Sequence, residues 1–208
     1  MATRPRRGLI NTLYEEIVVP DQRYYDALGR FVDAFAAAEG ATQLVLWHYA
    51  KLPTSVALAL LSGVRGDDVL NRMRRLVETG DVQQSDWVDL EPTLQQFNLI
   101  NGTRDAILHY GAQAKSDGER YVTNALKAHT RQKIRAFSIS AEILADMTHD
   151  VRKIIVHLHT RHMGRPPLRG TLNLDAVAKI LRAPWRYKQP PSHRAKDRKP
   201  ATQDQAES

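Results

Sequence analysis

The sequence predicts an all-α protein, an antiparallel helical bundle with a small β-hairpin between its last two long helices. Three observations predict it. Apolar residues recur at helical spacing over most of the chain, and Gly, Pro and short capping side chains punctuate those stretches. Alternation appears instead in two pieces, Glu119–Asn124 and Gln132–Ser138, joined by a polar connector.

Taken in order, Leu28, Phe31, Phe35, Val45, Leu46 and Tyr49 form a helical stripe over residues 21–51, with Gly40 expected to bend or interrupt it. Pro53 opens a second helix through Val56–Leu61, closed by Ser62 and Gly63. Asp67 or Asp68 is expected to cap a third, carrying Val69, Leu70, Met73, Leu76 and Val77. Residues 86–110 read as a long fourth helix. After Gly111, the alternation within Glu119–Asn124 and within Gln132–Ser138 predicts the hairpin. Ser140 then caps a helix to His162, where Ile143, Met147, Val151, Ile154 and Leu158 make a core stripe. Beyond the break at Arg165-Pro166-Pro167, Asn173 caps a short helix to Arg182 with Asp175 in its first turn.

This divides the chain into a basic N-terminal segment (1–8), a helical domain (9–182) and a disordered basic tail (183–208). The tail is rich in Pro, Lys, Arg, Gln and Ser and has few apolar residues after Trp185 and Tyr187, too few to repay ordering. It also interleaves aromatics with cations, which suits either nucleic-acid contact or simple solubilisation.

A chain of 208 residues with 42% hydrophobic content buries one sizeable core and excludes a long multidomain enzyme. Zero cysteines exclude disulfides, thiolate nucleophiles and Cys-based zinc or iron–sulfur sites. No apolar run is long enough to span a bilayer, and the N-terminal stretch Met1–Arg7, basic through Arg4, Arg6 and Arg7, leads into no continuous apolar stretch. The expectation is a cytoplasmic protein with no membrane partner. The net charge of +7 points to a polyanion, but residues 1–160 balance at 19 basic against 19 acidic, and residues 161–208 hold 11 against 4. The excess is entirely C-terminal.

The informative segment is Asn101–His109. Projected on a helical wheel, Asn101 and Arg104 fall on the apolar stripe with Leu90, Leu94, Phe97 and Leu108, while Asp105 and His109 lie on its flank. A guanidinium on an apolar stripe costs several kcal/mol, roughly, unless it is paired or opens into a cleft. Asp105 is placed either to orient the His109 imidazole or to bond to Arg104. Arg104 and His109 are separated by about 7.5 Å along the axis and about 140° around it, so one helix does not converge them on a single phosphate. Two copies packed face to face would pool both pairs, which favours a homodimeric site.

Arg104-Asp105-Ala106-Ile107-Leu108-His109 matches R-x-x-x-x-H with a polar residue after the Arg, and in this the chain resembles the HEPN superfamily of helical domains. The resemblance covers about residues 25–163. It extends to the Ala57–Gly63 helix ahead of a basic helix, the hairpin after the motif, and Phe137-Ser138-Ile139 leading into a long final helix. It implies a homodimeric helical bundle and a metal-independent endoribonuclease, with no cofactor, of the kind deployed in toxin–antitoxin, antiphage or RNA-processing systems. An antitoxin or other regulatory protein is then an expected partner beside RNA. The implied catalytic residues are Arg104, holding the scissile phosphate, His109 as general acid or base, and Asp105 fixing the imidazole; Asn101 is a candidate for positioning RNA.

Other features read less specifically. Arg72, Arg74 and Arg75 form either a solvated helix face or an RNA-tracking patch. His157, His159 and His162 invite a metal reading, but on a regular helix only His159 and His162 share a face, the i, i+4 pair is absent and the nearest helically spaced carboxylate is Asp150, so no metal site is expected. The alternative to a ribonuclease is a non-catalytic helical dimerisation or interaction module.

Overall fold

The computed structural model describes residues 21–114, 119–130, 133–164, 173–190 and 193–194. The basic segment 1–8, the start of the helical domain, the Arg165-Pro166-Pro167 break and residues 195–208 lie outside the described residues. The protein is predominantly helical, with one small antiparallel sheet.

Helix α1 spans Gln22–Ala50 and begins at Asp21, whose side chain accepts from Tyr24 N–H at 3.1 Å. Its buried face carries Phe31, Phe35, Ala38, Val45 and Leu46. Gly40 does not interrupt it. The flanking Ala38 and Ala41 are fully packed, so tertiary burial carries the helix through the glycine. Short α2 (Thr54–Leu61) leads through a turn at Ser62 and Gly63 to α3 (Gly66–Glu78). The residue preceding α3 is Arg65, so neither Asp67 nor Asp68 is the cap; both fall inside the first turn, where Asp68 instead accepts from Arg72.

Gly66, the first residue of α3, packs directly against the core. A Cβ there would stand 2.3 Å from Cε1 and 2.9 Å from Cζ of Phe97, a fully buried ring stacked on Phe35 at 5.1 Å. Gly66→Ala is therefore expected to lower stability by about 1–3 kcal/mol through overpacking, as a fall in urea midpoint with unchanged slope. An unchanged midpoint would show that the aromatic stack yields easily.

Helix α4 (Gln84–Tyr110) runs on through Pro92, which leaves the Val88 carbonyl without its helical partner on a solvent-facing turn. It ends at Gly111, whose φ of +70° turns the chain directly into β1 (Ala112–Ala114). Strands β2 (Arg120–Thr123) and β3 (Arg135–Ile139) pair antiparallel with Val122 opposite Phe137 and Arg120 opposite Ile139. Asn124 closes their loop, accepting from Arg135 N–H at 2.8 Å and donating to the Lys133 carbonyl at 3.1 Å. The sheet is larger than a hairpin: β1 extends it on one edge and β4 (His193–Arg194) on the other, in the order β1-β2-β3-β4. Val122 and Ile139 turn its inner face onto the helical core.

Helix α5 (Ala141–His157) starts at Ser140, whose Oγ accepts from Ile143 N–H. Met147, Val151 and Ile154 are completely buried, whereas Ile143 is half-exposed. The helix then widens into a π-helical turn over Leu158–His162, marked by the Met163 N–H bonding to the Leu158 carbonyl five residues back. Helix α6 (Leu174–Arg182) is capped by Asn173, which accepts from Ala176 N–H at 3.1 Å. Helix α1 packs along α5 and α3, α3 and α5 both meet α4, and α6 lies on α5. Among the described residues no helix is long and apolar enough to cross a membrane.

The boundary of the expected tail needs correction. Residues 183–190 form an extended strap laid over α4 and α5, with Trp185 half-buried and Tyr187 only 2% exposed. Polar anchors hold it. Asp150, completely buried, accepts from the backbone N–H of Arg186 at 3.1 Å and of Tyr187 at 2.9 Å. Gln96 donates to both Asp150 and the Tyr187 carbonyl, at 3.0 and 3.1 Å, and the Tyr187 hydroxyl meets Thr103 Oγ1 at 2.5 Å. Lys153 donates to the Ala183 carbonyl and sits 4.1 Å above the Trp185 ring. Its burial pushes the ammonium below the usual lysine range, partly offset by the Asp150 charge.

Candidate functional site

The last turns of α4 carry the sequence motif, and their packing separates its members. Ile100, Thr103 and Ile107 turn inward, and Leu108, placed by the wheel on the apolar stripe, is instead 50% exposed. Asn101 is buried within the bundle.

Arg104 is half-buried. Its guanidinium bonds to the Asp105 carboxylate at 2.7 Å and stacks 4.9 Å above the Phe35 ring. The ion pair and the cation–π contact together meet the cost of a charge on the apolar stripe. Asp105 also receives Arg65, from the link between α2 and α3, at 3.6 Å. Of the two roles open to Asp105, the structure takes the bond to Arg104. His109 is exposed, and its ring is tilted against Tyr110 with centroids 6.5 Å apart. Within one chain Arg104 and His109 are not brought together.

The basic residues of α3 divide similarly. Arg74 is engaged by Glu91 of α4 at 2.9 Å, and Arg72 reaches Asp68 at 3.4 Å. Arg75, in the last turn, is exposed. A cleft of about 910 Å³ between the starts of α1 and α5 and the strap is lined by Arg23, Arg30, Arg152 and Arg186 together with Asp26 and Glu142; neither Arg104 nor His109 reaches it.

A second constellation lies at the other end of α5. On a regular helix residues five apart point about 140° away from each other, but the π-helical turn realigns His157 and His162 so that their rings lie 5.3 Å apart. Both Nε2 atoms face Asp89 of α4, at 3.1 Å from His157 and 3.5 Å from His162. Neither approach is aligned as a hydrogen bond, and both Nε2 atoms are buried. The other nitrogen of His162 is satisfied by the Tyr49 hydroxyl at 2.9 Å.

Burial and the adjacent His157 pull His162 down to about 4, and burial lowers His157 as well, against the opposing pull of Asp89. Both imidazoles are neutral at pH 7, so the approach of Asp89 is not an ion pair. Tyr49 is pushed up to about 12 by burial and by the carboxylates of Asp86 and Asp89, which keeps its hydroxyl protonated.

The sequence pattern of three histidines was visible, but the pairing of His157 with His162 was not, because it depends on a local change of helix type. The histidine pair expected to share a face, His159 and His162, is not the pair that converges with Asp89. A comparison with protein-family models, with curated proteins and with solved structures finds no match to this chain.

Proposed function

We propose that the chain is a HEPN-like endoribonuclease that cleaves RNA without a metal, at a composite site formed between two copies. The observation that carries this reading is the division of labour at the end of α4. Arg104 is held by Asp105 over Phe35, while His109 stands in solvent five residues later beside the exposed Leu108. A site needing both an anion clamp and a proton-transfer group is then completed by a second copy laid along α4, with Leu108 supplying apolar contact. Arg104 retains guanidinium N–H groups beyond the one given to Asp105, enough to grip a phosphate. His109 exchanges the proton as the neighbouring 2′-hydroxyl attacks phosphorus, leaving a 2′,3′-cyclic phosphate and a 5′-hydroxyl. Arg75 is the α3 cation best placed to follow the RNA backbone, and an antitoxin or other regulatory protein would act by covering the exposed end of α4.

The test is incubation of the purified full-length chain with total RNA in EDTA. Wild-type protein is expected to cleave, and His109→Ala, an exposed substitution, to lose at least about 100-fold in rate without loss of fold. Cleavage that survives His109→Ala, or that needs added metal, rejects the proposal. One observation favours a second reading, a non-catalytic interaction module: Asp105 is occupied by Arg104 and Arg65, so it is not the group that orients His109. Dimerisation without any RNA cleavage would decide for it.

A further inference from the structure

The cluster at the junction of α4, the π-helical turn and α1 takes no part in that chemistry. We propose that Asp89, His157 and His162 form a binding site for a zinc-class divalent cation. Three observations carry it. The first is donor chemistry: two imidazoles and one carboxylate are a common zinc ligand set and leave a fourth position for water.

The second is geometry. Two ligand atoms on a tetrahedral zinc centre with bonds of 2.0–2.1 Å stand about 3.3–3.4 Å apart. The Asp89 oxygen lies 3.1 Å from one Nε2 and 3.5 Å from the other, on either side of that distance. All three ligand atoms lie within 4.8 Å of one another.

The third is the unspent bonding capacity. The His162 side chain is only 2% exposed, yet among the described residues its Nε2 has no aligned hydrogen-bond partner, and that of His157 has only the off-line approach of Asp89. A buried ring nitrogen left without a partner costs free energy that a cation would recover. Tyr49 completes the arrangement from outside: with Nε2 on the cation, His162 Nδ1–H donates to the Tyr49 oxygen, the kind of outer contact that fixes a ligating imidazole. Asp89, 45% exposed, gives the cation a path from solvent.

The experiment uses the tag-free full-length chain, stripped with EDTA, dialysed and titrated with Zn²⁺ against a chromophoric chelator, with Co²⁺ as a spectroscopic substitute. One Zn²⁺ per chain is expected, with the intense visible absorption of four-coordinate Co²⁺. Both should be lost in Asp89→Asn, a half-exposed and fold-neutral change, and in His157→Gln. Tyr49→Phe should weaken binding by about 10- to 100-fold. The proposal is overturned if the wild type shows no saturable binding, or if either ligand variant binds as the wild type does, which would place the ion on other histidines.

Discussion

Replacing Asp150 by alanine is expected to release residues 183–190 from the helices and to lower stability by about 3 kcal/mol. The carboxylate is the shared acceptor for the backbone N–H groups of Arg186 and Tyr187 and for the Gln96 amide. Its removal strands those donors in a site closed to water and takes away the negative charge that acts on the buried Lys153 ammonium. The strap then recovers water for its own N–H groups by lifting off, which uncovers Trp185 and Tyr187. Asp150→Asn keeps the shape and one acceptor oxygen but turns an amide N–H₂ toward N–H donors, so it should rescue only part of the loss. Native-state hydrogen exchange at Arg186 and Tyr187, with urea denaturation, reads both effects. Unprotected amides in the wild type, or protection that persists in Asp150→Ala, would show that the carboxylate is not the anchor.

The second large effect is a loss of stability in acid. With chelator present, lowering the pH from 6.5 to 4 is expected to cost about 3 kcal/mol through His162. In the unfolded chain its imidazole takes up a proton near the ordinary value of about 6.5. In the folded protein, burial first and His157 second delay that until about pH 4. Across this window the unfolded chain binds more protons, so stability drains as pH falls. Above it both states hold a neutral ring, and the histidine contributes no pH dependence. His157, lowered for the same leading reason, acts with the same sign. Urea midpoints against pH for wild type and His162→Gln provide the check; parallel curves through the window would assign the acid sensitivity to carboxylates elsewhere.

What sequence reading recovered and missed follows from how local each cause is. The caps at Ser140 and Asn173 are set within one helical turn, and both side chains accept the expected backbone N–H. The buried stripe of α5 likewise follows from spacing alone. Strands of two and three residues, such as β4 and β1, carry too few side chains to alternate legibly. Composition counts apolar side chains and finds little here beyond Trp185 and Tyr187, whereas the segment is also anchored by buried polar groups of other elements. The sequence does carry one signal for it: Asp150 lies between Met147 and Ile154 on the core stripe, and a carboxylate there requires donors from elsewhere. At the motif, the sequence left Asp105 two partners and the structure chose Arg104. The convergence of His157 and His162 was not legible, since it depends on a widened turn that no spacing rule for a regular helix contains.

The strap also imposes an order of assembly. Synthesis proceeds from the N-terminus, so α4 and α5 leave the ribosome before Arg186 and Tyr187. Until those two residues follow, Asp150 and Gln96 face each other across an open seam, with Lys153 and Thr103 still wet. The helical body therefore reaches its final state only after a segment about 30 residues downstream of α5 has been made and docked. A nascent chain stalled just before that point would be a nearly complete bundle with an exposed polar seam, a natural target for chaperone or protease surveillance.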